Sequence, residues 1–278
     1  MNKYKYDINS IESIYEYSCR LIGKTLREAV DLPAEVVNAK NKGDLGSLVE
    51  EYFFEHVPPN NHEPDFAEAH LELKTTGVKK NKKGEYLAKE RLVLTMIDYN
   101  KLIEETWETS SYLHKCGKML ILFYEYKKEK SVIDRKFVIK PVVFQIPQED
   151  LEVFKSDWAL IQKKVIEGKA HEISEGDTFF LGACTKGPGK NKVSPRTQPN
   201  SDIRAKSRAF SIKQGYLSRI VRGLDEKNQN AFLEPNLSFE EATIKRFSSF
   251  IGKSVEELSA QFGLQKINSN QKGFKRSI

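Results

Sequence analysis

From Ala69 to Thr75 apolar and polar residues alternate, which places Leu71 and Leu73 on one face of an extended segment and His70, Glu72 and Lys74 on the other. A period of two makes Glu72 and Lys74 neighbours on one face. Asp65 stands seven residues before Glu72, behind Pro64 and a loop that begins at Pro58-Pro59-Asn60-Asn61, so it is free to converge on Glu72. An E-x-K triplet alone usually lines the solvent side of an edge strand. The preceding Pro64-Asp65, the alternation and a flanking helix with Glu50 give it a different character.

Two carboxylates and a lysine held this way suit phosphodiester hydrolysis. That reaction needs a divalent cation on hard oxygen ligands, with positions left for water and phosphate. The cation acidifies the attacking water and offsets charge on the phosphate. A neighbouring lysine orients or deprotonates that water.

Around this centre the sequence reads as a mixed sheet flanked by helices. Ile11 to Val30 predicts a helix, a turn at Gly23 and the start of a second helix. A glycine-led helix follows Gly43, with Leu45, Leu48, Val49, Tyr52 and Phe53 on its apolar side. Arg91–Met96, Lys118–Tyr126 and Phe137–Ile146 are strand-like runs, and Asn81–Gly84 suits a hairpin turn between Ala69–Thr75 and Arg91–Met96. Leu151–Gly168 has helical spacing through Phe154, Trp158, Leu160, Ile161 and Val165.

At 278 residues the chain has room for one large domain or two modest ones, and 39% hydrophobic residues suffice for a core. The formal net charge of +6 is mild, but its distribution is not even. Between Thr185 and Arg222, Lys186, Lys190, Lys192, Arg196, Arg204, Lys206, Arg208, Lys213, Arg219 and Arg222 face one acid, Asp202. Such a segment is either a solvated face or a phosphate-binding surface. Cys19, Cys116 and Cys184 form no CxxC pair, which argues against a zinc site or a disulfide framework and for a reducing cytoplasm. The sequence has no signal-peptide core and no apolar run of membrane-spanning length, so no membrane partner is expected.

A weak repeat sets the expected domain limits. Ile22-Gly23-Lys24 and Glu28 recur as Ile251-Gly252-Lys253 and Glu257. On this reading residues 1–224 are a catalytic domain, 225–239 a linker, and 240–278 the start of a second, truncated copy within a longer protein. The alternative is that both stretches are ordinary helix starts.

The runs G-D-L-G-S-L-V-E (43–50), P-D-F (64–66), E-L-K-T (72–75), W-E-T-S-S-Y-L-H-K (107–115), the D-W at 157–158 and R-A-F-S-I-K (208–213) resemble, in consistent order, the MutH-like family of GATC-specific endonucleases. That family includes mismatch-repair nicking enzymes and type II restriction enzymes. The resemblance implies a restriction-endonuclease-like PD-(D/E)xK fold, an α/β mixed central sheet flanked by helices. It implies Mg²⁺, with Mn²⁺ able to substitute, on Asp65, Glu72 and the main-chain carbonyl of Leu73. Glu50, Lys74 and Lys115 match further catalytic positions. The expected partner is double-stranded DNA containing GATC, cut 5′ of the guanine, with dimerisation on DNA for double-strand cleavage.

Lys186 is the candidate base contact, in a loop loosely similar to the family's groove-reading loop, and Lys190, Arg196, Arg204, Lys206, Arg208, Ser211 and Lys213 of the basic segment are the other candidate DNA contacts. Ser211 stands where the mismatch-repair members have a tyrosine implicated in sensing adenine methylation, which implies tolerance of methylated sites. Two other readings are a strand-nicking mismatch-repair protein and a non-catalytic GATC-binding domain. The acids and lysines retained around Glu72 weigh against the second.

Overall fold

The strand that carries Glu72 and Lys74 lies in a four-stranded mixed sheet. In chain order the strands are β1 Glu72–Lys80, β2 Tyr86–Ala88, β3 Leu92–Met96, β4 Lys118–Glu125, β5 Phe137–Gln145, β6 Leu181–Thr185, β7 Pro195–Gln198, β8 Ser201–Lys206 and β9 Arg208–Ile212. The computed structural model describes residues 4–37, 45–56, 62–187, 195–223, 238–240, 254, 256–257, 264–266 and 273–276. By its contacts the chain divides into two units, Met1–Glu90 with Tyr112–Ile146, and Arg91–Ser111 with Pro147–Ile278.

In the first unit the strand order is β2-β1-β4-β5. β1 runs parallel to β4, with Glu72 opposite Met119 and Val78 opposite Glu125. β2 and β5 are antiparallel to their neighbours. Met119 to Phe123 of β4 are all buried, as expected for a central strand covered on both faces, and this is why it reads as an unbroken apolar run. Leu71, Leu73, Leu120 and Leu122 share one core with Ile14, Tyr17, Leu21 and Leu26 from the N-terminal helical segment. That segment is an α-helix at Ile11–Ser18, a single tight turn, and a short helix Leu26–Ala29. Thr25 and Glu28 close the second helix with a reciprocal capping box. Tyr6, Tyr17, Phe53, Phe54 and Phe66 form an aromatic cluster of tilted and edge-to-face pairs next to the turn bearing Asp65.

The second unit holds the antiparallel sheet β3-β9-β6, the β7–β8 hairpin and two helices, Leu151–Ile166 and Gln214–Gly223. Asp157 of the first helix is fully buried and accepts the N–H groups of Phe179, Phe180 and Leu181 at 2.7–2.9 Å. Asp150, also buried, binds both the Tyr216 hydroxyl and Arg219 from the second helix.

Several sequence expectations shift. The strand starts at Glu72, because the chain before it turns back on itself, and it runs on to Lys80. Asn81–Gly84 turns β1 into the short β2, not into Arg91–Met96, which pairs with β9 in the other unit. Three residues are too short for alternation to reveal, so β2 escaped notice. The glycine-led helix is α-helical only over Leu45–Leu48 and widens to a π turn at Val49–Phe53, while its expected start at Gly43 lies outside the described residues. The expected boundary at residue 224 and most of the linker also lie outside them. Ser238–Glu240 is a short strand paired with Gly273–Arg276, which pairs in turn with Leu264–Lys266. Among the described residues no helix is long and apolar enough to cross a membrane.

Candidate active site

The site is made by a tight turn folded against the start of β1. Phe66 and Leu71 exchange both main-chain hydrogen bonds, at 2.9 and 3.1 Å. Residues 67–70 between them reverse the chain, and His70 takes a positive φ of 48° to do so. His70 is therefore an exposed turn residue and not part of the strand. The turn sets Asp65 beside Glu72, and the two lock reciprocally. The Asp65 N–H donates to Glu72 Oε2 at 3.1 Å, and the Leu73 N–H donates to Asp65 Oδ2 at 2.8 Å.

The direction of Leu73 matters. In a strand the N–H and C=O of one residue point to the same edge. Since the Leu73 N–H meets Asp65, its carbonyl faces that side too. Two carboxylates and one carbonyl thus converge where β2 does not pair, as the β1–β2 ladder begins only at Val78.

Lysines complete the arrangement. Lys74 Nζ donates to Glu72 Oε1, which confirms that the two share a face. Lys115 Nζ lies 3.8 Å from the same oxygen and donates to the Glu63 carbonyl at 3.0 Å. His114 holds the Glu63 carboxylate at 2.9 Å. Burial pushes the Glu72 carboxyl up from its ordinary range, as does the Asp65 charge, while the Lys74 ammonium opposes them. Burial also works against the Lys74 ammonium, but the Glu72 carboxylate outweighs it and holds its value above the usual one.

These features suit a hard divalent cation. Carboxylates crowded in a buried spot gain most from added positive charge. Asp65 Oδ1 accepts no hydrogen bond among the described residues. Burial also pushes the Cys116 thiol up, to about 12. Among the described residues no group of three or more His, Cys, Asp or Glu side chains could share one ion. Glu50 is half-buried in the π turn, and its carbonyl accepts the His56 N–H at 3.0 Å.

His56 is the residue that sequence reasoning missed. Its Nε2 donates to the Asp65 carbonyl at 2.5 Å, and its ring stacks on Phe66 with centroids 5.2 Å apart and planes 15° apart. It stands nine residues before Asp65, outside any periodic pattern, and only the fold brings the two together.

Residues 54–157 match the family model described as DNA mismatch repair enzyme MutH, a span that includes Asp65, Glu72, Lys74 and Lys115. The chain is 39% identical over 248 residues to the type II restriction enzyme Sau3AI of Staphylococcus aureus, covering 86% of this chain and 49% of that protein. It is 27% identical over 219 residues to the DNA mismatch repair protein MutH of Shewanella woodyi, covering 76% and 91%. A MutH of Actinobacillus pleuropneumoniae is 25% identical over 208 residues, covering 73% and 88%. The chain thus carries a MutH family domain over residues 54–157 and is similar beyond it to these relatives. It spans about half the length of the restriction enzyme. Its fold is accordingly restriction-endonuclease-like, a mixed α/β sheet flanked by helices.

The second unit of this MutH-like chain sorts the basic segment into two groups. Lys186, Arg196, Arg204 and Lys206 are exposed, the last three on the β7–β8 hairpin. Lys190 lies outside the described residues. Arg208, Ser211 and Lys213, expected at DNA, face inward instead. The buried Arg208 guanidinium donates to the carbonyls of Ala183 and Ile173. Lys213 Nζ donates to the carbonyls of Glu175 and Thr178, and Ser211 is wholly buried on the central strand β9. β9 is flanked by β3 and β6, which is why its side chains are core regardless of charge.

Proposed function

We propose that this MutH-like chain is a site-specific deoxyribonuclease that hydrolyses double-stranded DNA at GATC, 5′ of the guanine. The observation that carries the reading is the convergence of Asp65, Glu72 and the Leu73 carbonyl beside Lys74. In this reading those three groups hold Mg²⁺, or Mn²⁺ in its place, which supplies an acidified water and positive charge at the phosphate. Lys74, anchored on Glu72 yet partly exposed, orients the attacking water and holds positive charge beside the phosphate. Lys115 fixes the Glu63–Asp65 turn through the Glu63 carbonyl and adds charge near Glu72. Glu50 acts from the neighbouring turn. Lys186, Arg196, Arg204 and Lys206 meet DNA, with Lys186 the candidate for a base edge.

Ser211 is buried and presents no aromatic ring to a base, so cleavage is expected at methylated and unmethylated sites alike. Cutting both strands requires two active sites to meet, hence association on DNA. Residues 240–278 are read as the start of a second copy, supported by one local likeness. Ser254 and Glu257 make the reciprocal capping bonds, at 2.6 and 3.0 Å, that Thr25 and Glu28 make at the matching positions.

The test is incubation with Mg²⁺ and a plasmid carrying few, mapped GATC sites, methylated and not, with Lys74→Ala as control. Fragments ending 5′ of guanine at those sites, absent with the variant, support the proposal. Cleavage elsewhere, cleavage undiminished in the variant, or neither binding nor cleavage refutes it.

A further inference from the structure

β1 carries Glu72 and Lys74 at one end and, at the other, Lys79 and Lys80, which Lys82 and Lys83 follow in the turn. All four lysines are exposed. Among the described residues none has a carboxylate within 4.0 Å, whereas the nearby Lys89 and Lys127 are each paired, with Glu90 and Glu125. The acid inside the turn is occupied elsewhere: Glu85 accepts the Asn81 side-chain amide at 2.7 Å. Four like charges within five residues repel one another, and nothing local offsets that repulsion.

The tip is also well fixed. Asn81 Oδ1 accepts the N–H groups of Lys83 and Glu85 at 2.8 and 3.0 Å, and Gly84 supplies the positive φ of 82° that closes the turn. Lys80 lies over the Tyr86 ring, 5.0 Å from its centroid, and Lys80 and Tyr86 are cross-strand partners. A cluster of lysines without carboxylate partners, on a well-fixed hairpin that continues the strand of the active site, is arranged as a receptor for polyanion.

We infer that the β1–β2 hairpin is a second phosphate-binding arm, which grips the DNA backbone away from the cut. The inference rests on the proposed nuclease function and extends it. Glu72 and Lys80 are eight residues apart on one strand, or about 26 Å at roughly 3.3 Å per residue. Along a duplex that is about seven or eight base pairs at 3.4 Å each. The arm therefore recognises flanking DNA without regard to sequence, and it makes affinity depend on duplex length.

The experiment compares the full chain with a variant carrying Lys79→Gln, Lys80→Gln, Lys82→Gln and Lys83→Gln. Binding is measured in Ca²⁺ from 50 to 200 mM salt, with duplexes extending four or twelve base pairs on each side of one GATC. The plot of log affinity against log salt should become shallower by about 0.9 for each lysine on a phosphate, up to about 3.6. The wild type should prefer the longer duplex and the variant should not, while melting temperature is held or raised as repulsion is relieved. A wild type that binds and cleaves, beside a variant of equal salt slope and equal length preference, overturns the arm and leaves the nuclease reading intact. A wild type that neither binds nor cleaves overturns both.

Discussion

Replacing His56 with phenylalanine isolates one hydrogen bond at the heart of the site. The ring is retained, so its stacking on Phe66 at 5.2 Å should persist, while the donor to the Asp65 carbonyl is lost. Asp65 is only 6% exposed, so its carbonyl is left short of a partner in a buried turn. The cost of such an orphaned acceptor is about 1–3 kcal/mol. The turn relieves that cost by rotating the carbonyl toward water, which moves the Asp65 carboxylate off Glu72 and the Leu73 N–H. If the same free energy is lost from cation binding, Mn²⁺ affinity falls roughly five- to 150-fold. Titration of Mn²⁺ into His56→Phe and His56→Gln, each checked by melting temperature and cleavage rate, measures this. The glutamine variant regains a donor and should recover part of the loss. A folded His56→Phe protein with wild-type Mn²⁺ affinity would refute the reasoning.

Other predictions concern the second unit. Arg208→Leu should destabilise by about 2–3 kcal/mol through the Ala183 and Ile173 carbonyls it leaves, without altering the salt dependence of DNA binding. A lower salt slope in a folded variant would show Arg208 on phosphate after all. Asp150→Ala strands the buried Arg219 and should cost about 3–5 kcal/mol in denaturant unfolding. Burial pushes the Asp157 carboxyl up to about 6, against the pull of three backbone N–H donors and Lys213. A folded-state value above the unfolded one stabilises the protonated form. This contribution is therefore present below about pH 4 and lost as pH rises through 6, on the order of 3 kcal/mol in all. The melting temperature of the wild type relative to Asp157→Asn should decline over that window, and a constant difference would contradict the assignment.

What the sequence disclosed is tied to periodicity and local spacing. The alternation through Leu71 and Leu73 located the strand, and the two-residue separation put Lys74 on Glu72. Helix Leu151–Ile166 and strands β4 and β5 were legible because burial imposes its period on long segments. Where tertiary contact decides, the sequence was silent. His56 reaches Asp65 across a loop, and Lys115 reaches Glu63 across 52 positions. The burial of part of the basic segment was hidden for a related reason. Arg208 and Lys213 are spelled like surface residues, yet β9 is central and their charges are spent on buried carbonyls. The lysines of the β1–β2 turn drew no notice, because β2 itself was too short to read.

The most direct test is metal binding and cleavage measured together on the wild type and on Asp65→Asn and Glu72→Gln. The account predicts that the wild type binds Mn²⁺ and cuts DNA in Mg²⁺, that chelation by EDTA stops cutting, and that each variant loses both properties while melting like the wild type or higher. A well-folded Asp65→Asn that still binds Mn²⁺ and cleaves DNA would contradict the claim that this pair of carboxylates is the catalytic centre.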